Sequence, residues 1–305
     1  MAEARKRRMH FSAVFGTVPM IAVAVGVYVI GIAYTIYWSF TSSGLFPNND
    51  FVGLKQYHRL WQDDRWLIAV QNIWIFGGLL IVFSLVFGYL LAVFMDQHIR
   101  QEDLLRSIFL YPFAMSLIVT GLVWQWMLDP NFGIENTIHK LGWTSFHFSP
   151  LVDPKTAIYG LVVAGIWQGS GVTMAILLAG LRGVDAEIWK AAKVDGIPAW
   201  RVYLFIALPM MRGAVGTAFV LQCVGVVRVY DLVIAMTGGG PGIATNMPAV
   251  YVIQMITSSQ NVGLGMAAAT TMLLPVVIVL AFIGLMRFVS ARRLAAATRR
   301  ELATS

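Results

Sequence analysis

The chain has 305 residues, of which 58% are hydrophobic and only 12% charged, whereas a soluble domain carries about 25% charged residues. A mean hydropathy of +0.72 and charge-free runs over 66–95 and 156–181 exclude a soluble core, because each run exceeds the roughly 20 residues that cross hydrocarbon as a helix. The net charge of +7 raises a nucleic-acid partner, but the basic residues lie between apolar runs and not on one surface, which fits the loops of a membrane protein and argues against nucleic acid.

Arg5, Lys6, Arg7 and Arg8 precede an apolar stretch from Phe11 to Phe40. Ala22-Val23-Ala24 fits the small-residue pattern of a signal cleavage site, yet the run continues far beyond a signal core of about 7–15 residues. Residues 14–40 are therefore read as a retained first span. Further spans are predicted over 67–95, 107–128, 156–181, 213–236 and 262–286. All six should be helices, since irregular or open-edged backbone in lipid would leave polar groups unsatisfied. The whole of 1–305 then forms one transmembrane domain, with residues 1–10 and 287–305 as polar ends.

Between spans four and five, segment 182–212 alternates charge with apolar residues and is longer than a tight connection needs. Glu187 to Val194 favours helix, Ala191 and Ala192 permit close approach to a partner surface, and Gly196 offers a turn of little strain. Pro209 marks the entry to the fifth span. That span contains the single cysteine, Cys223, which excludes an intrachain disulfide. It also contains Arg228 and Asp231, three residues apart; they are expected to form an intramembrane ion pair that points away from the face carrying Gln222, with direct sugar contact as the alternative. A charge-free outer loop over 237–261 opens with Thr237-Gly238-Gly239-Gly240-Pro241-Gly242, which should turn.

Lysine and arginine placement sets the orientation. With the N-terminus inside, sixteen of the 22 basic residues fall on the cytoplasmic side, and only Lys55, Arg59, Arg65, Lys140 and Lys155 fall outside. Positively charged loops stay in the cytoplasm, so both termini are expected there.

Several chemistries lack their residues. No Gly-Lys pair exists to close a phosphate-cradling loop, so the chain is not expected to bind ATP itself. His10, His58 and His98 are scattered, while His139 and His147 share a loop without a His-Glu-x-x-His motif or a cysteine partner; no metal site is expected. All five histidines lie outside or at the edges of the spans, which disfavours a membrane serine hydrolase.

The segment from Glu187 through Trp189-Lys190-Ala191-Ala192-Lys193-Val194-Asp195-Gly196 to Ile206-Ala207-Leu208-Pro209 resembles the cytoplasmic coupling motif of binding-protein-dependent ABC importer permeases. Ala191, Ala192, Gly196, Ile206, Leu208 and Pro209 match its pattern, and Lys190 departs from it where the family has Glu. Phe51-Val52-Gly53-Leu54-Lys55-Gln56-Tyr57 and Thr237-Gly238-Gly239-Gly240-Pro241 are similar to the maltose and glucose type of carbohydrate permease. Leu110-Tyr111-Pro112-Phe113 and Ile166-Trp167-Gln168-Gly169-Ser170 are similar to permeases for glucose or related aldoses and glucosides.

The resemblance implies an all-α integral membrane protein of type I importer architecture, with six transmembrane helices and a coupling helix that includes Trp189, Lys190, Ala191, Ala192, Asp195 and Gly196. It implies sugar import by alternating access at a bacterial inner membrane. The implied partners are a second related permease, an ATPase dimer that binds the ATP, and an extracytoplasmic sugar-binding protein; no cofactor resides on this chain. Aligned with the family's sugar contacts are Phe113 and Leu117, then Gly165, Gln168, Gly169 and Val172, then Gln222, Val226 and Val229. Spacings of three, four and seven place each set on one helical face, although valines and leucines so spaced also serve plain packing, and Gly165 with Gly169 also reads as a packing face. The rivals are an ion-coupled transporter, for which Asp231 is the only acidic residue well inside a span, and a non-transporting scaffold.

Overall fold

The computed structural model describes residues 11–46, 48–97 and 99–274. Among them the chain is helical with no strand, apart from an isolated bridge between Thr41 and Phe51. The first helices are α1 (Phe11–Val23), joined through a π-helical turn (Ala24–Val29) to α2 (Ile30–Ser39), then α3 (Lys55–Leu60) and α4 (Asp64–Met95). Next come α5 (Glu102–Ala114), α6 (Leu117–Met127), α7 (Ile134–Lys140), α8 (Ala157–Arg182) and α9 (Ala186–Val194). A short α10 (Ala199–Arg201), a second π-helical turn (Val202–Ala207) and α11 (Leu208–Met210) lead to α12 (Arg212–Val227), α13 (Tyr230–Met236) and α14 (Pro248–Thr257). The last described helix is α15 (Val262–Leu274). The residues group into two compact units, 11–62 with 252–274, and 63–251.

In the first unit, α1, the π turn and α2 make one continuous apolar rod, and no residue from 16 to 38 is buried. Such an all-round apolar surface suits a helix solvated by lipid. The chain then folds back on itself: Val52 N–H donates to the Phe40 carbonyl at 2.8 Å, and the Phe40 ring meets Phe51 and Tyr57 at 6.0 and 5.5 Å. Gly53 takes a left-handed φ of +58° just before α3, where buried Gln56 donates to the Thr41 carbonyl at 2.9 Å. Gly263, near the start of α15, donates its N–H to the Ser43 carbonyl at 2.9 Å, in space that a Cβ would fill. The remainder of the predicted sixth span, from 275, lies outside the described residues.

The second unit is built around α8, which packs on α4, α5 and α12. Small residues set the distances. A Cβ on Gly88 of α4 would stand 2.5 Å from Thr173 Cγ2, one on Gly77 would stand 2.8 Å from Val226 Cγ1, and one on Gly165 would stand 2.9 Å from Leu80 Cδ1. Gly171 lies against the Phe109 carbonyl of α5, where a Cβ would collide. Lipid supplies no hydrophobic drive between helices, so close van der Waals approach through small residues holds them together.

Two predicted spans are not single helices. The third breaks into α5 and α6, bent by 98°, and Met115 and Ser116 between them are extended at ψ 149° and 148°. The fifth stops at Arg228 and restarts at Tyr230. By length and composition three described helices are long and apolar enough to cross a membrane, or five if each of two bent pairs is one span. The expected outer loop 237–261 turns at Gly238, Gly239 and Gly242, all with positive φ, but then contains α14. Ten residues rise only about 15 Å, too short for a span, so length criteria pass over it. Buried Asn72 of α4 secures the approach to α14, donating Nδ2 to the Ala244 and Asn246 carbonyls at 2.8 and 2.9 Å. The Asp63 carboxylate caps α4 and accepts the Tyr251 hydroxyl at 2.7 Å.

Gly165→Leu is expected to wedge α4 from α8 and lower thermal stability by the about 1–3 kcal/mol typical of overpacking. Gly78→Ala, where no atom lies within 4 Å of the added carbon, should leave it unchanged or slightly raised. Thermal unfolding of the detergent-purified protein compares the two; equal melting temperatures would show that the helices do not meet at Gly165.

Candidate functional site

Helix α9 is defined at both ends by its own sequence. Asp185 caps the start, its Oδ1 accepting Glu187 N–H at 2.9 Å. At the other end Gly196 N–H reaches the Lys193 carbonyl at 3.2 Å and Ile197 N–H reaches Ala192 at 3.0 Å, with Gly196 left-handed at φ +67°. That pair of bonds is the Schellman closure, and it needs a residue without a Cβ penalty at the glycine position. The helix and turn thus lie where the sequence places them.

Of the α9 residues singled out, Ala192 is buried, while Lys190, Ala191, Asp195 and Gly196 are exposed. Lys190 spends its charge locally, with Nζ 2.9 Å from Glu187 Oε1. Trp189 turns inward, its ring 5.1 Å from that of Tyr203. The Tyr203 hydroxyl donates to Asp96 Oδ2 at 2.8 Å and accepts Gln97 Nε2 at 2.8 Å, and Tyr89 donates its hydroxyl to the Tyr203 carbonyl at 2.7 Å. Helix α9 is therefore joined through one tyrosine to the end of α4. Leu208 packs half-buried in the same apolar cluster, whereas Pro209 is exposed. A proline ring clashes with the carbonyl four residues back, and the wide π turn over Val202–Ala207 makes room for it. A 76° bend follows at Met211 before α12.

The second candidate region surrounds the broken third span. Ser116 caps α6, its hydroxyl accepting Val119 N–H at 3.2 Å, and the Met115 carbonyl accepts Gln168 Nε2 from α8 at 3.3 Å. Phe113 is 49% exposed, and Leu117, Gln168, Gly169 and Val172 are partly exposed. The other aligned positions turn into the protein. Gly165 packs against Leu80 and Phe76, and Val226 and Val229 belong to the apolar core. Gln222 is buried; its Nε2 donates to Thr173 Oγ1 at 2.7 Å and to the Gly169 carbonyl at 3.1 Å. The third aligned set is turned inward: Gln222 and Val226 of α12 close on α8 and α4, and Val229, between α12 and α13, is buried in the core. Gly165 and Gly169 make close approaches, to α4 and to Gln222 of α12 respectively.

The expected Arg228–Asp231 pair is also corrected. Both residues are exposed and no ion pair joins them, because the helix they were to share ends between them. Arg228 caps the C-terminus of α12 and Asp231 stands in the first turn of α13, so each charge complements its own helix dipole.

Residues 84–299 match the model of the binding-protein-dependent transport system inner membrane component family. The chain belongs to this family. It is 35% identical over 260 residues to a probable ABC transporter permease of Pyrococcus horikoshii, covering 84% of this chain and 89% of the relative. It is 32% identical over 232 residues to a xylose/arabinose import permease of Haloferax volcanii, covering 74% and 72%. Its fold is similar to that in the crystal structure of a bacterial ABC transporter involved in the import of the acidic polysaccharide alginate, with a TM-score of 0.77 at 16% identity over 90% of this chain and 94% of that one.

The permease is thus a multi-pass inner membrane component, and the resemblance read from 187–209 agrees with its family. Sequence reasoning missed Asn72, Asp96, Gln97 and Tyr203, the side chains that hold its loop and its α9. Asn72 carries a local signal, since it forms with Gln71 an amide pair in an otherwise apolar span, but only the structure shows that Asn72 is the one that turns inward.

Gly196→Val should strain the left-handed position by about 1–2 kcal/mol and fray α9 while membrane insertion remains. Hydrogen exchange over 186–197 checks this; unaltered protection would show that the Schellman turn does not hold the helix. Arg228→Ala and Asp231→Ala should act additively on thermal stability, within about 0.5 kcal/mol. Rescue of either single variant by the double would restore the ion pair.

Proposed function

We propose that this permease forms half of an alternating-access pathway for a sugar, glucose or a related aldose or glucoside. The proposed complex has a second related permease, two ATPase subunits receiving α9, an extracytoplasmic binding protein, and both termini of this chain in the cytoplasm. Relatives named as permeases for xylose/arabinose, for trehalose/maltose and for trehalose support a small sugar of one or two units as cargo.

The observation that carries the reading is the break between α5 and α6. Non-helical backbone at membrane depth is tolerated where it is buried in protein or lines a cavity, and discontinuous helices recur at transporter substrate sites. Here the break is flanked by the exposed ring of Phe113, whose face suits the C–H face of a sugar. Gln168 spends its Nε2 on the Met115 carbonyl, which leaves Oε1 to accept from a sugar hydroxyl. Leu117 and Val172 would frame the contact, and Gln222 would hold the helices beneath it.

Radiolabelled glucose and xylose uptake in whole cells tests this. Gln168→Ala is expected to lower uptake several-fold, in line with the about 0.5–1.5 kcal/mol of a lost hydrogen bond, and Phe113→Ala to lower it by removing the stacking face, with the immunoblotted complex unchanged in amount. Gln222→Ala should instead reduce the amount of assembled complex. Normal uptake kinetics in both the Phe113 and Gln168 variants would take the break out of the sugar pathway.

A further inference from the structure

Helix α7 carries Glu135 and His139 one turn apart, hence on one face. Gly142 then turns the chain at φ +104°, and His147 returns to the same place. Glu135 is 7% exposed. Its Oε1 lies 3.1 Å from His147 Nδ1, and its Oε2 accepts Phe148 N–H at 3.2 Å. His139 Nε2 is 2.6 Å from the Phe146 carbonyl. A carbonyl only accepts, so that nitrogen carries a proton, and Nδ1 is the ring atom left for a metal ion. The two imidazoles meet edge to face at 6.0 Å. One donor atom from each of the three residues lies within 4.8 Å of the other two.

We propose that Glu135, His139 and His147 bind a divalent zinc ion. Two imidazoles and one carboxylate form a donor set for zinc, whereas calcium and magnesium take oxygen alone. Zinc bonds of about 2.0–2.2 Å require the donor atoms to close to roughly 3.5 Å in tetrahedral geometry. The ring of His147, 79% exposed, is free to swing by that amount. An outer shell is already in place: the Phe146 carbonyl orients His139, and Phe148 N–H holds the second oxygen of Glu135. Three protein ligands leave one position to water, which makes the site exchangeable. The ion would pin the 142–148 return to α7, in the segment that the basic residues of the loops place outside the membrane. No zinc motif announced the site, because its spacing is Glu-x-x-x-His plus a histidine brought back by a turn.

The test uses the purified full-length protein in detergent with zinc alone as the probe, measured by titration calorimetry, and cobalt as a spectroscopic substitute. One saturable zinc equivalent is expected in the wild type. His147→Ala, an exposed change that leaves the core intact, and His139→Ala should each weaken it by more than the about 10–100-fold that loss of an outer-shell partner costs and abolish the cobalt d–d bands. Zinc affinity equal in the wild type and both variants, or no saturable binding in the wild type, would overturn the proposal and leave His147–Glu135 as an ion pair that staples the loop.

Discussion

A carbonyl in hydrocarbon has no water to turn to, and the second unit is arranged around that constraint. Where the third span opens at Met115 and Ser116, the freed groups are met by side chains: Gln168 for the Met115 carbonyl, and the Ser116 hydroxyl for Val119 N–H. The break can persist only because α8 passes close enough to deliver an amide. That closeness depends in turn on Gly171, which lets the Phe109 carbonyl of α5 rest on α8.

Helix α8 therefore serves two ends. Midway it presents Gln168 to the broken span and Gly169 to Gln222, whose buried amide joins α12 to α8 through Thr173 and the Gly169 carbonyl. At its final turn Arg182 pairs with Glu102 of α5 at 2.6 Å, just before the chain enters α9. Helix α9 is tied to the neighbouring helices at two points. One is this short connection to α8, and the other is Tyr203, which holds α9 to Asp96 and Gln97. The first is the chain itself, and the second combines a ring contact with Trp189 and direct hydrogen bonds.

Charge follows the same economy. Arg228 and Asp231 need no partner in each other, since the interruption of α12 supplies a helix end for each. Lys190, where the family pattern has an acid, is neutralised by Glu187 one turn earlier. Lys190 lies on the exposed face of α9, away from the half-buried Trp189 and the buried Ala192.

By itself the sequence determined the membrane class, the long helices α4 and α8, and the whole of α9 with its turn, because these follow from interactions within a few residues: hydropathy summed over a span, an aspartate cap, a glycine in the left-handed region. Tertiary structure alone decided where spans three and five break, that 248–257 is a helix, that Gln222 faces inward while Gln168 meets a broken backbone, and that Glu135 stands beside two histidines. A hydropathy window averages over about 20 residues and cannot register one extended serine or one interrupted turn. Helical spacing assigns residues to a common face but not to the neighbour that face will meet. For Gln222 that neighbour lies 49 residues away at Thr173, and only the packing of glycine-lined helices brings the two together.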